Sequence, residues 1–102
     1  MDCGATCLRM IARYYGQAYS LESLRNITHT GKQGVNLLNL SRAAEKIGFI
    51  AKPVKAGWDI LQAYGTLPCI VHWKNNHYVV VYRISKKSVH VADPALGRIR
   101  YS

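Results

Sequence analysis

Long apolar runs are missing from this sequence. The longest, "YVVVY", falls far short of a membrane span, and no segment has the layout of a signal peptide. As given, the chain is expected to be soluble. Cysteine is scarce and odd in number: Cys3, Cys7 and Cys69 do not make a disulfide framework, and reduced thiols in a cytosolic setting fit better. Acidic residues are few, with 5 Asp and Glu against 14 Lys and Arg and a formal net charge of +9. Such an excess suits phosphates, an anionic membrane surface or an acidic peptide. The basic residues are scattered singly from Arg9 to Arg100 with no recognised nucleic-acid motif, so a nucleic-acid partner is not expected. There is no low-complexity stretch, internal repeat or domain linker. What is present is 102 residues, 49% of them apolar, enough for one domain with one core.

Periodicity divides the chain into helices first and strands second. From Asp2 to about Tyr15, Cys7, Leu8, Ile11 and Tyr15 recur at helical spacing, with Asp2 as N-cap and Gly16 as the stop. Ser20 caps a short helix "LESLRNI", with Leu21 and Leu24 inward, and "HTGKQG" is a loop. A third helix fits from about Asn36 to Ile47, with Leu37, Leu40, Ala44 and Ile47 on one stripe and Gly48 as terminator. "FIAKPVK" reads as a strand or extended segment, with Pro53 demoting it to an edge. "WDILQAY" is a short helix. "LPCIVHW", "HYVVVYRI" and "VHVAD" read as strands joined by the turns "KNN" and "SKKS", and "RIRYS" begins a fourth after "PALG". The pattern predicts an α+β domain with N-terminal helices packed on one side of an antiparallel sheet.

Three residues could carry chemistry together. Cys3 falls in the first turn of its helix, where unpaired N–H groups and the helix dipole favour a thiolate. Four histidines are available as a base: His29, His72, His77 and His90. His77 opens the most apolar strand, and Asp93 closes the strand after the "SKKS" turn. Antiparallel pairing across that turn would make His77 and Asp93 neighbours, so that a carboxylate orients the imidazole. Each residue also has a structural reading. A helical Cys is commonly a small buried hydrophobe, the reading kept for Cys7 and Cys69. A strand-end His can be merely hydrogen-bonded, and Asp before Pro is common turn chemistry. A zinc set from Cys3, Cys7 and His72 or His77 lacks the usual two-residue Cys spacing and a second Cys pair.

With these residues in hand, "DCGATCLRMIARYYG" resembles the nucleophile motif of the C39 peptidases, the N-terminal protease domains of peptidase-containing ABC transporters that process and export bacteriocins and quorum-sensing peptides. "LPCIVHWKNNHYVVVYRI" is similar to the family's histidine segment, "VHVADPALGRIRYS" to its aspartate segment, and "KQGVNLLNLSRAAEKIGF" to the helical stretch between. The resemblance implies a papain-like α+β fold, with Cys3 as nucleophile, His77 as general base and acid, and Asp93 as the orienting carboxylate. It implies removal of a double-glycine leader from a precursor peptide during export. The alternative within the same resemblance is a C39-like domain that binds substrate without cutting it. In such domains the nucleophile position is not Cys, and here it is Cys3.

The resemblance further implies a single domain over residues 1–102, trimmed at both ends. The family's oxyanion glutamine precedes the nucleophile by a few residues, whereas this sequence begins two residues before Cys3, and Gln17 and Gln33 are poor substitutes by position. Implied partners are the leader peptide and the transmembrane and nucleotide-binding domains of a parent transporter. No cofactor is expected in this domain, since ATP would bind in a separate one. The implied location is the cytoplasmic side of a bacterial inner membrane. The spacing of Cys3 and Cys7 leaves a disulfide between them open under oxidation, with core packing the preferred role for Cys7.

Overall fold

The computed structural model of the chain describes residues 3–28, 36–55, 57–73 and 77–102, the side chain of Tyr64 excepted. Asp2 as helix cap, His29 and Gln33 with the "HTGKQG" loop, and the "KNN" turn lie outside these residues. The first helix, α1, runs Cys3–Tyr14 and buries Gly4, Ala5, Cys7, Leu8, Ile11 and Ala12. Its end follows from Gly16 at φ 83°, a backbone region that side chains with a Cβ adopt at a cost. The Gly16 N–H donates to Arg13 C=O at 3.0 Å and the Gln17 N–H to Ala12 C=O at 2.8 Å, the two bonds of a Schellman cap. Tyr15 is therefore turned off the stripe the sequence suggested. It is 50% exposed and leans on Phe49 at a ring distance of 5.7 Å.

Helix α2 spans Leu21–Thr28, and the Ser20 hydroxyl accepts from the Ser23 N–H at 3.1 Å as its cap. Helix α3 spans Leu37–Lys46, with Asn36 as N-cap accepting from the Asn39 N–H at 2.8 Å. Gly48 at φ 100° closes it with the same pair of bonds that ends α1: its N–H donates to Glu45 C=O at 3.0 Å and the Phe49 N–H to Ala44 C=O at 3.0 Å. On α3 the buried residues are Leu40 and Ala43, with Ala44 and Ile47 packed beside them. Leu37 lies at the rim, 37% exposed, so the inward stripe is rotated toward Ala43. "FIAKPVK" forms no strand. Pro53 has no N–H to give a ladder, and Ile50 and Val54 stand 93% and 74% exposed. Helix α4 follows over Trp58–Tyr64.

The second half is a four-stranded antiparallel meander in the order β1-β2-β3-β4, comprising Cys69–Trp73, His77–Ile84, Val89–Asp93 and Gly97–Tyr101. Strand β2 has buried residues pointing to both faces, which is why it reads as the near-continuous run "YVVVY". Tyr78 and Val80 face the helices in a cluster with Ala5, Cys7, Leu8, Ile11, Leu24, Leu40 and Ala43. Val79 and Val81 face the other way, with Val91, Cys69, Val71 and Leu67 around them. Each fully buried valine contributes about 1.5–3 kcal/mol relative to an exposed one. Trp73 on β1 meets Tyr101 on β4 at a ring distance of 5.7 Å. The sheet therefore coils until its two edge strands touch across the second face, and Trp58 from α4 packs on Trp73, also at 5.7 Å. Helices on one face match the sequence expectation; a second apolar cluster behind the sheet adds to it.

Candidate active site

The register of the sheet decides which polar residues meet. Val80 pairs with Ala92 and Val81 with Val91, so the start of β2 lies beside the end of β3. His77 and Asp93, 16 residues apart in sequence, meet there: the imidazole Nε2 lies 2.9 Å from Asp93 Oδ1. The His77 side chain is 25% exposed and that of Asp93 6%. The carboxylate oxygen also accepts from the backbone N–H groups of Ala95 at 2.8 Å and Leu96 at 3.3 Å. Asp93 thus closes the turn before β4 and holds the imidazole with one atom, so both of the roles weighed from the sequence are present.

Burial of Asp93 acts to raise its pKa. The Ala95 N–H, the hydrogen bond and charge of His77, and the Leu96 N–H outweigh that effect and hold the carboxyl below its ordinary value. An ionised carboxylate only accepts, so the contact fixes the tautomer: Nε2 carries the proton toward Asp93, and Nδ1 is left as the basic nitrogen.

Cys3 is the first residue of α1. It is half-buried and packs against the cluster that contains Tyr78, the residue after His77. One turn further on, Cys7 is wholly buried. Its thiol is pushed far up by burial first, and then by the negative charges of Cys3 and Asp93. The Tyr78 phenol is likewise raised by burial and then by Cys3. These couplings put the start of α1 within electrostatic reach of the strand ends that carry His77 and Asp93. Cys7 and Cys69, both raised by burial, behave as core thiols, and no disulfide joins the three cysteines.

The other candidates go elsewhere. His72 stacks on Tyr78 at 4.8 Å with the planes 19° apart, and His90 lies between Ser88 and the ring of Tyr82. Among the described residues no three of His, Cys, Asp or Glu gather as metal ligands. Sequence reasoning passed over Tyr78, the buried ring between His72 and the start of α1, and Trp73, the register partner of His77. The available signal was the hairpin "HWKNNHY", whose mirror positions set Trp73 opposite His77 and His72 opposite Tyr78.

The peptidase C39 family model matches residues 1–102. The chain is 38% identical over 104 residues to the lactococcin-G-processing and transport ATP-binding protein of Lactococcus lactis subsp. lactis, covering 97% of this chain and 15% of that protein. It is also 38% identical over 102 residues to the transport/processing ATP-binding protein ComA of Streptococcus pneumoniae, covering 95% of this chain and 14% of that protein. The chain therefore spans about one seventh of the curated relatives it matches. Among solved structures it is similar to a double glycine motif protease from an AMS/PCAT transporter in complex with the leader peptide. That match has a TM-score of 0.92 at 36% identity and covers 98% of this chain and 71% of that one. It is also similar to the peptidase domain of Streptococcus ComA, with a TM-score of 0.86 at 37% identity over 99% of this chain and 79% of that one.

Proposed function

Because the chain belongs to the peptidase C39 family, a family of cysteine peptidases, we propose that Cys3, His77 and Asp93 are its catalytic residues and that it removes double-glycine leaders from exported precursor peptides. The observation that carries this reading is the 2.9 Å contact between His77 Nε2 and Asp93 Oδ1, made at the sheet end toward which the start of α1 is packed. The substrate class follows from the relatives: one is a double glycine motif protease in complex with its leader peptide, and others carry processing and transport in their names.

The mechanism is acyl transfer. The Cys3 thiolate, favoured by the helix N-terminus, attacks the carbonyl of the second glycine. Nδ1 of His77 exchanges the proton: it takes it from the thiol and gives it to the leaving amine. Asp93 keeps the ring in the required tautomer and stabilises the imidazolium when it forms. The Cys3 backbone N–H is one donor to the tetrahedral oxyanion. Water activated by His77 then hydrolyses the thioester. A cleft too narrow for β-carbons at the two positions before the scissile bond accounts for a glycine pair.

The setting is a parent ABC transporter in a bacterial membrane, with the domain on the cytoplasmic side and the transporter's membrane and nucleotide-binding domains as partners. Among the described residues no helix is long and apolar enough to cross a membrane. The chemistry as derived uses the chain's own groups and water, and ATP and nucleic acid have no part in it. The test is mass spectrometry of a synthetic double-glycine precursor peptide incubated with the chain. Cleavage after the glycine pair, absent with Cys3→Ala, is expected. Peptide bound by both forms and cut by neither would overturn the catalytic reading in favour of a substrate-binding domain.

A further inference from the structure

On the helix-side face of the sheet, three arginines gather around His90. In register, Arg83 of β2 pairs with His90 of β3, and His90 pairs with Arg100 of β4. Arg98 lies two residues along β4, opposite Ala92. Cross-strand partners point to the same face, so Arg83, His90, Arg98 and Arg100 stand on one surface. Lys86 and Lys87 sit in the exposed turn at its end. Arg83, Arg98 and Arg100 are all exposed, and Tyr82, 38% exposed, sits against His90 at 6.0 Å.

Arg83 and Arg100 flank His90 from the two neighbouring strands, and like charges gathered on one sheet face are destabilising. Among the described residues the acids are Glu22 and Glu45 on α2 and α3, Asp59 on α4, and Asp93, which is held by His77. Among the described strands β4 is last in the order, a position where guarding charge would account for Arg98 and Arg100. It does not account for Arg83, because β2 is flanked by strands on both sides.

We propose that this face docks on the anionic phospholipid headgroups of a membrane surface. The arginines spread in two directions, from β2 across to β4 and along β4, as a plane of headgroups does; an extended acidic peptide would match a single row. Arginine presents several donors to a phosphate at once. Tyr82 beside the arginines offers the amphipathic ring favoured at a membrane interface. Arg83, His90 and Arg100 lie at the opposite end of β2 and β3 from His77, and Arg98 extends the patch along β4 to the position opposite Ala92.

The test is co-sedimentation of the chain with phosphatidylcholine vesicles made with and without phosphatidylglycerol, at low and high salt. It reads binding alone, so its outcome is separate from leader cleavage. Binding is expected only with phosphatidylglycerol and only at low salt. The Arg83→Gln/Arg98→Gln/Arg100→Gln variant should partition on the order of 100-fold less. The Arg13→Gln/Arg42→Gln/Lys46→Gln variant removes equal charge from α1 and α3 and should lose about tenfold or less. An equal loss in the two variants would overturn the proposal by reducing it to net charge. So would wild-type protein that ignores phosphatidylglycerol, or that prefers soluble polyglutamate through the same three arginines.

Discussion

At the scale of single residues, Asp93 has the most to do, because one carboxylate oxygen serves two backbone N–H groups and the His77 ring. Its folded pKa lies below the ordinary carboxyl value of 3.8. The stability it contributes is therefore complete above that value and disappears as pH falls through the lower folded one. Urea denaturation of Asp93→Asn should accordingly lose less stability between pH 7 and acid than wild type does. The same variant allows the wrong imidazole tautomer, so kcat for leader cleavage should fall on the order of 10²–10⁴. An Asp93→Asn protein with wild-type kcat would remove Asp93 from the triad. The pair was legible in advance because a short turn between two strands dictates which ends meet. The turn role of Asp93 was also legible from its place before Pro94, whereas the sharing of one oxygen between that turn and the imidazole was not.

At the scale of elements, the helix ends were the clearest punctuation in the sequence. Gly16 and Gly48 were read as stops, and both sit at positive φ with a two-bond cap. A Cβ added at either would meet nothing within 4 Å, so the cost of substitution is conformational. Gly16→Ala and Gly48→Ala should each destabilise by about 1 kcal/mol, measured by urea unfolding. A neutral result at both would contradict the cap assignment. The stripe on α3 was less legible. Helical spacing admits Leu37 and Ala43 almost equally, and packing into the cluster under the helices chose Ala43. Of the two readings of "FIAKPVK", strand or extended segment, the strand is absent, because a strand needs a neighbour to supply the ladder.

At the scale of the whole molecule, β2 joins two apolar clusters, one under the helices and one behind the sheet. Helices followed by a meander predicted the first. The second was hidden because Trp58, Trp73 and Tyr101 come from distant segments and meet only through the coiling of the sheet. The same assembly packs the start of α1 against the strand that begins with His77, and the account rests on that approach. The most direct measurement is acid-quenched mass spectrometry of the chain during turnover of a double-glycine peptide, with fragmentation to locate the acyl group. The account predicts a thioester on Cys3, gone in Cys3→Ala, with Cys7 and Cys69 unmodified. An acyl group on another residue, or cleaved product formed with no Cys3 thioester and undiminished in Cys3→Ala, would contradict it.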